Sequence, residues 1–282
     1  MAEVYVISAF SKDGKGGNKA GVVLDSHDLM PANMIAIAKD LGYSETAFLT
    51  ESDVADFKVR YFTPTEEVPL CGHATIATFS ILNSLGKLGK DAYTIETKAG
   101  MLNIQIEKDG MIFMEQNRPT YFGTLKPDFF AGCLEAGFID TTLPIQIVST
   151  GLKDIMLPVD TKEHLERLNP NFTSMVSLCC DQDVVGIHAF ALTDGTETTA
   201  ICRNFAPRYG INEESATGTS SCALACYLFQ HYKQQSQYVF EQGFNLGSVS
   251  QLVVNITHQS GSIDTVHVGG YGHLVCKKTL LI

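Results

Sequence analysis

Alternating hydrophobic and polar positions run through the first half of the chain and predict short β-strands. Residues 57–62, Phe-Lys-Val-Arg-Tyr-Phe, alternate with a period of two, which is typical of a half-buried strand. Comparable runs predict further strands at 4–7, 20–24, 46–50, 95–107 and 111–115. Helical spacing between Pro31 and Gly42 predicts a helix over 31–41, and a second helix is predicted over 73–85. The first half is therefore mostly β.

The second half repeats this plan after a turn-rich stretch at 116–144, which we interpret as a linker with a short helix near 129–136. The hydrophobic pattern predicts helices over 162–168 and 217–232. Strands are predicted at 145–149, 155–159, 184–192, 198–205, 237–241, 251–257, 264–268 and 273–280. The mixture of strands and few helices predicts an α+β fold.

One stretch occurs twice. The residues that recur, each 143 positions later, are Arg60, Phe62 and Pro64, which return as Arg203, Phe205 and Pro207. In a chain of 282 residues, this offset is what a duplicated domain would give. Domains of about 100–200 residues are usual, so the chain has room for two copies of one domain.

The net charge of the chain restricts the kinds of molecule that it is expected to bind. A formal net charge of -11 and a pI near 5.1 argue against nucleic acid or an anionic membrane surface, because both attract a basic face. The eight cysteines form no CxxC pair and no zinc-like spacing with histidine. The first residues lack the pattern of a signal peptide, and no apolar run reaches the ~18–20 residues of a membrane span. We therefore expect a cytoplasmic protein.

Two predicted helices begin with small and polar residues, CGHAT at 71–75 and SATGT at 215–219. Helix N-termini present unpaired N–H groups and a partial positive charge, which suit a carboxylate or an oxyanion. Small residues can equally serve tight packing, and Ser215 or Thr217 can be an N-cap, with Glu214 favoured by the helix dipole. These residues therefore fit three roles equally: tight packing, helix capping and ligand binding.

Three further side chains are candidates for chemistry. His73, in the first turn of a helix, is either a satisfied core histidine or a neutral proton carrier. Cys71 at the same helix start is a candidate reactive thiol. Glu45 stands directly before a predicted strand, a position that most often belongs to a solvated loop residue.

Several motifs together resemble the PhzF family, named for the phenazine-biosynthesis isomerase. They are SETAFL at 44–49, LCGHATIA at 70–77, EESATGTSS at 213–221, EQG at 241–243, and Asn18 before a strand of small residues. The resemblance implies a diaminopimelate epimerase-like fold, with two pseudo-symmetric halves, each a mixed-strand barrel around a central helix. It implies an N-terminal domain of residues 1–118 plus 273–282, a C-terminal domain of residues 119–272, and an active-site cleft between them.

The resemblance also implies a reaction. Glu45 would be the acid/base that moves a proton between carbons of a small carboxylated metabolite, assisted by His73 and Glu214 through proton relay or through binding of polar groups. The implied substrate-binding residues are Asn18, Ser44, Gly72, Thr217, Gly218 and Thr219. No metal or organic cofactor would be needed, and a homodimer is expected.

The chain departs from the family pattern near the implied site. Glu214 stands where the family usually has Asp, Ser215 replaces a proline, Lys19 replaces a common proline, and Ser248 replaces an arginine. These changes favour a substrate different from that of the phenazine enzyme.

Diaminopimelate epimerases and proline racemases, which share this fold, use a cysteine on each side of the substrate; Cys71 matches one of them, and Ser215 replaces the other. A serine without a base is too weakly acidic for that role, so we reject the two-cysteine mechanism. Two alternatives stay open: a non-catalytic protein that binds a small molecule in the same cleft, and an isomerase that depends on the Cys71 thiol.

Overall fold

The computed structural model describes residues 1–195 and 197–280, which form an α+β structure as the sequence predicted. The strands are β1 (Ala2–Ser11), β2 (Asn18–Val23), β3 (Thr46–Thr50), β4 (Phe57–Phe62), β5 (Glu67–Val68), β6 (Ala92–Thr97), β7 (Gly100–Ile106), β8 (Ile112–Gln116), β9 (Thr120–Leu125), β10 (Ile145–Ser149), β11 (Lys153–Pro158), β12 (Gly186–Leu192), β13 (Ala200–Ala206), β14 (Ile211–Glu214), β15 (Gln237–Gln242), β16 (Ser250–Gln259) and β17 (Ser262–Leu280). The α-helices are α1 (Pro31–Leu41), α2 (Gly72–Ser84), α3 (Lys162–Arg167), α4 (Phe172–Asp181) and α5 (Gly218–His231).

The described chain forms two compact units. Unit 1 comprises residues 1–115 and 269–280, and unit 2 comprises residues 116–268. Leu281 and Ile282, which are predicted to belong to the N-terminal domain, lie outside the described residues.

In unit 1 the strands close into a ring. Strand pairing runs β1–β2–β3–β4–β6–β7–β8–β17 and returns to β1. Helix α2 lies inside this ring, where Phe79 packs against Phe57 of β4 and Tyr93 of β6, and Ser80 lies against Gly272 of β17. Nine of the thirteen residues of α2 are buried, because its faces all carry small or apolar side chains.

Helix α1 packs differently, with only one apolar face. Its buried residues, Met34, Ile37, Ala38 and Leu41, recur at helical spacing and join a core cluster with apolar side chains of β1, β2, β3 and β4. The helix ends at Gly42, which adopts the left-handed conformation at φ 69°. The predicted bounds of this helix are confirmed.

In unit 2 the strand pairing runs β9–β10–β11–β12–β13–β15–β16, and the first part of β17 follows β16. Helix α5 is the buried helix of this unit, with eleven of fourteen residues buried. Tyr227 packs against Phe190 of β12, and the carbonyl of Cys226 accepts a hydrogen bond from Tyr121 of β9. Helices α3 and α4 cover a second cluster of buried apolar residues that includes Leu165, Met175, Cys179 and Phe205.

Several local predictions were wrong. Helix α4 was not predicted, and β9 lies inside the predicted linker. The helix expected near 129–136 is instead two short 3-10 helices, Pro127–Phe130 and Ala136–Phe138. The separate strands expected at 264–268 and 273–280 are one continuous strand, β17. Among the described residues no helix is long and apolar enough to cross a membrane.

Candidate active site

The N-terminus of α2 leaves its first N–H groups without a side-chain cap. Cys71 is the N-cap residue, but its side chain makes no hydrogen bond to the helix start. The first intrahelical bond runs from Thr75 N to Cys71 O, so the N–H groups of Gly72, His73 and Ala74 precede the helical ladder. Helices α3 and α4, by contrast, are capped by the side chains of Thr161 and Asn171. The start of α2 is thus suited to a negatively charged group.

Glu45, His73 and Cys71 form a connected cluster in unit 1. Glu45 directly precedes β3, and its backbone carbonyl accepts a hydrogen bond from Gly21 N of β2 at 3.3 Å. Its carboxylate Oε2 lies 3.3 Å from His73 Nε2. The thiol Sγ of Cys71 lies 3.4 Å from His73 Nδ1 and 3.9 Å from His73 Nε2. Ser44 Oγ is 3.5 Å from His73 Nε2. The structure therefore brings Ser44, Glu45 and His73 together.

The imidazole of His73 is neutral at neutral pH. Burial lowers the pKa of His73, and the charge of Glu45 only partly opposes this effect. A neutral ring has one N–H donor and one acceptor nitrogen. In the tautomer protonated on Nε2, the ring donates to Glu45 and accepts the thiol proton of Cys71, so both contacts are satisfied. His73 can therefore orient the Glu45 carboxylate and carry a proton to or from it.

The start of α5 in unit 2 is held by a different set of groups. Thr217 is the N-cap residue, but its side chain does not cap the helix. Its hydroxyl donates instead to Glu214 Oε2 at 2.7 Å. Gln242 Nε2 donates to the carbonyl of Glu214 at 2.7 Å and to Thr217 Oγ1 at 3.1 Å. The side-chain capping that the sequence left open for Thr217 is not observed.

Gly243 packs closely against the backbone of the loop that precedes α5. It adopts φ +91°, and a Cβ there would clash with the carbonyl oxygen of Ser248 and lie 2.9 Å from that of Ser215. Only glycine combines this conformation with such a close backbone approach. The EQG motif thus positions the residues that precede Gly218.

Helix register corrects one alignment made from the sequence. Cys71 directly precedes Gly72, the first residue of α2, and Thr217 directly precedes Gly218, the first residue of α5. By position in the helix, Thr217 rather than Ser215 therefore corresponds to Cys71. The conclusion is unchanged, because neither residue supplies a second thiol.

The remaining predicted residues lie on the same elements. Asn18 begins β2, three residues before Gly21, and pairs with Ala9 of β1. The carbonyl of Thr219, in the first turn of α5, accepts a hydrogen bond from Thr150 Oγ1 at 3.0 Å.

Sequence reasoning missed a buried polar chain beneath the first turn of α5. Ser220 Oγ donates to Asp154 Oδ2 at 2.6 Å, and Asn204 Nδ2 lies 3.1 Å from Ser220 Oγ and 3.2 Å from His188 Nδ1. All four side chains are buried. Burial raises the pKa of Asp154 to about 6 and lowers the pKa of His188 to about 3. The four residues come from β11, β12, β13 and α5, so no local motif marks them.

The chain is similar to known proteins over nearly its whole length. Residues 7–278 match the family described as phenazine biosynthesis-like protein. An uncharacterized isomerase, YddE, of Escherichia coli is 31% identical over 281 residues, covering 95% of this chain and 94% of its own length. Trans-2,3-dihydro-3-hydroxyanthranilate isomerase of Pseudomonas aeruginosa is 28% identical over 281 residues, with 96% of both chains covered.

A solved structure of a PhzF-family phenazine biosynthesis protein from Bacillus anthracis superimposes with a TM-score of 0.91 at 32% identity, covering 100% of this chain and 99% of its own. The match extends over both units of the fold. The chain belongs to the phenazine biosynthesis-like, or PhzF, family, and it is an isomerase of that family.

Proposed function

We propose that the protein is a cofactor-independent isomerase that moves a proton between carbons of a small carboxylated metabolite, with Glu45 as the acid/base. The observation that carries the proposal is the contact between Glu45 Oε2 and the Nε2 of neutral His73, 3.3 Å apart, beside a helix start without a side-chain cap. A carboxylate, a proton carrier and N–H donors are the groups that such a reaction needs.

The reaction starts with removal of a proton from a substrate carbon by the Glu45 carboxylate. The negative charge that develops on the substrate is stabilised by the N–H groups at the start of α2 and by the helix dipole. The protonated Glu45 then returns the proton to a different carbon. His73 keeps the carboxylate oriented throughout, because its Nε2–H donates to the oxygen that is not transferring the proton.

Glu214, Thr217, Gly218 and Thr219 bind polar groups of the substrate in this proposal. The hydrogen bonds from Gln242 and Thr217 hold Glu214 in place. Asn18, Ser44 and Gly72 complete the set of binding residues.

A carboxylate is the substrate class that fits the α2 helix start, and the Pseudomonas aeruginosa relative is named for an isomerisation of such a compound. The extra methylene of Glu214 and the serine at Ser248 in place of a cation favour a substrate other than that one. We expect the enzyme to act as a homodimer in the cytoplasm and to need no metal or organic cofactor for this reaction.

Deuterium uptake tests the proposal. A pool of small carboxylated metabolites, including the substrate of the Pseudomonas enzyme, is incubated in heavy water with wild type and with Glu45→Gln, and labelling is followed by mass spectrometry. Wild type should label one metabolite, and Glu45→Gln should label it at least about 100-fold more slowly. Glu51→Gln changes an exposed glutamate just after β3 and should behave as wild type. Equal labelling by wild type and Glu45→Gln would overturn the role of Glu45.

A thiol-dependent isomerase is the second candidate, because Cys71 Sγ lies 3.4 Å from His73 Nδ1. The two candidates differ in which residue takes the carbon-bound proton. If Cys71→Ser abolishes labelling while Glu45→Gln retains it, the thiol is the base. The main proposal expects the reverse pattern, with Cys71→Ser within about tenfold of wild type.

A further inference from the structure

Glu45, Cys71 and His73 bring three different metal-binding groups to one place. One carboxylate oxygen, one thiol sulfur and one imidazole nitrogen lie within 4.8 Å of one another. Carboxylate, thiolate and imidazole are the side-chain ligands of Zn²⁺, and thiolate together with imidazole selects borderline-soft cations over Mg²⁺ and Ca²⁺.

The spacing of the donors is close to that of a tetrahedral site. Bond lengths of about 2.0–2.1 Å to nitrogen or oxygen and about 2.3 Å to sulfur, at the tetrahedral angle, place ligand atoms roughly 3.3–3.6 Å apart. Glu45 Oε2 is 3.3 Å from His73 Nε2, and Cys71 Sγ is 3.9 Å from the same nitrogen. The third pair, Cys71 Sγ and a Glu45 carboxylate oxygen, lies within 4.8 Å, so side-chain rotations must bring these two donors closer to each other around the cation.

The three residues are also fixed and accessible in the way that a metal site requires. Cys71 and His73 are held by the first turn of the buried helix α2, and their side chains are 7% and 6% exposed. The backbone of Glu45 is fixed by its hydrogen bond from Gly21 N, while its side chain is 20% exposed. Solvent can enter beside Glu45 and take the fourth position, as in zinc sites with three protein ligands.

We propose that Glu45, Cys71 and His73 form a binding site for a thiophilic divalent cation such as Zn²⁺. On binding, the thiol proton of Cys71 moves to His73 Nδ1 and the Nε2 proton of His73 passes to the buffer, while sulfur–metal and Nε2–metal bonds form; no group is oxidised or reduced. The dipole of α2 favours the thiolate that this step creates. The cation occupies the Glu45 carboxylate, so it inhibits the isomerase reversibly; this consequence rests on the proposed function.

Cobalt(II) and zinc(II) titrations test the site without any substrate. Metal-stripped protein is titrated with Co²⁺, whose bond to a thiolate gives a near-ultraviolet charge-transfer band, and with Zn²⁺ by calorimetry. Wild type should bind one ion with the thiolate band. Cys71→Ser should lose the band, and both Cys71→Ser and Glu45→Gln should bind Zn²⁺ at least about 100-fold more weakly, since loss of an outer-shell partner alone costs about 10–100-fold.

Cys180→Ser is the matched control, because Cys180 is an exposed cysteine outside this cluster. It should keep both the band and the affinity of wild type. A band that disappears in Cys180→Ser and persists in Cys71→Ser would overturn the proposal, as would the absence of any saturable band in wild type. Thermal unfolding in the absence of metal checks that each variant is folded.

The activity assay then separates this proposal from the proposed function. Zn²⁺ at saturating concentration should abolish deuterium labelling by wild type, and a chelator should restore it. If Zn²⁺ binds through Cys71 and Glu45 but labelling continues, the metal site stands and the role of Glu45 as the base is overturned.

Discussion

The starts of α2 and α5 are built on the same framework but carry different chemistry. In unit 1, Arg60 on β4 forms a two-pronged ion pair with Glu67, at 2.8 and 3.0 Å. In unit 2, Arg203 on β13 pairs in the same way with Glu213, at 2.9 and 2.8 Å. In each unit the guanidinium also stacks on the phenylalanine two residues further along the strand. The sequence repeat thus coincides with a repeated local structure; that it arose by duplication stays a prediction.

The next residue of each strand reaches the buried helix, and here the units differ. Tyr61 makes a 2.6 Å hydrogen bond to Thr75 of α2, and this contact is between two neutral hydroxyl groups. Asn204 bonds to Ser220 of α5, which continues to the buried carboxyl group of Asp154. Beneath the first turn of α5 lies the buried carboxyl group of Asp154, whereas the corresponding contact beneath α2 joins two neutral hydroxyl groups. At the helix starts themselves, unit 1 carries Glu45 and His73, and unit 2 carries Glu214. The framework that positions a helix can therefore be kept while the groups at its end change.

The largest effect on stability should come from Arg203 in unit 2. Arg203 and Glu213 are 7% and 10% exposed, and Arg203 Nη1 also donates to the carbonyls of Leu165 and Leu168 at 3.1 and 2.7 Å. Arg203→Met leaves a buried carboxylate and two carbonyls without this donor, so it should lower the free energy of unfolding by about 3–5 kcal/mol.

Arg60→Met is the matched change in unit 1, where the pair is about one quarter exposed. Water can solvate Glu67 there, so the loss should be about 1 kcal/mol. Urea unfolding of both variants, followed by circular dichroism, measures the difference. Equal losses would show that the two frameworks are energetically alike.

Gly243→Ala should have the next largest effect. The added methyl group clashes with the carbonyl of Ser248 and lies too close to that of Ser215, in a conformation that costs about 1–2 kcal/mol for a non-glycine residue. We expect a loss of about 3 kcal/mol and a raised KM, because the loop before α5 must move. Gly247→Ala has a similar φ of +63° but no neighbouring atom within 4 Å, so its loss should be only about 1 kcal/mol. Comparable losses would contradict the proposed steric clash.

Asp154 makes the stability of unit 2 depend on pH. Burial raises its pKa from 3.8 to about 6, so between these values the folded chain binds more protons than the unfolded chain. Stability from this group therefore falls as pH rises from about 4 to about 6, by about 3 kcal/mol in all. Asp154→Asn removes the ionisation and keeps an acceptor for Ser220. It should be more stable than wild type above pH 6, and this gain should vanish below about pH 4.

The control for Asp154→Asn is Tyr61→Phe, which breaks the corresponding neutral contact in unit 1. It should cost about 1 kcal/mol at every pH in this range. Denaturant unfolding at several pH values between 4 and 8 measures both variants. A stability gain in Asp154→Asn that does not change with pH would contradict the assignment to this carboxyl group.

Thr217→Val should have the smallest effect. It removes the hydroxyl that donates to Glu214 and accepts from Gln242. Loss of about 1 kcal/mol of hydrogen bonding should raise KM about five- to tenfold, with kcat within about twofold of wild type. Thr173→Val, at an exposed position of α4, serves as the control and should leave both constants unchanged. A fall in kcat alone would place Thr217 in the chemical step rather than in binding.

The sequence predicted those elements that a local pattern specifies. The apolar face of α1 and the terminal Gly42 define one helix, and small residues mark the starts of the buried helices α2 and α5. Helix α4 was missed because serine, threonine and cysteine weaken its pattern; the Asn171 cap and the buried pair Met175 and Cys179 were the available signals. Strand β9 was missed because most of its side chains are exposed, so no hydrophobic alternation appears.

The residues of the candidate site are likewise of two kinds, those that a local sequence motif marks and those that only the fold brings together. Glu45 and His73 belong to motifs that are visible in the sequence, and the structure brings them within 3.3 Å. The Asp154 network depends on pairing between β11, β12 and β13, so its members are scattered along the chain. Matching Thr217 to Cys71 depends on knowing the first residue of each helix. Sequence patterns define that residue only to within a few positions.

The pairing of β1 with β17 has a consequence for synthesis. Ala2 pairs with Leu280, and the ladder continues to Ser11 and Tyr271. On the ribosome β1 must therefore wait until residues 271–280 emerge, and one of its edges stays without its partner until then. Closing a loop of this length costs roughly 5 kcal/mol in chain entropy. Unit 2 ends at Val268, before the part of β17 that closes the ring of unit 1. During translation it can therefore become compact before that ring is complete.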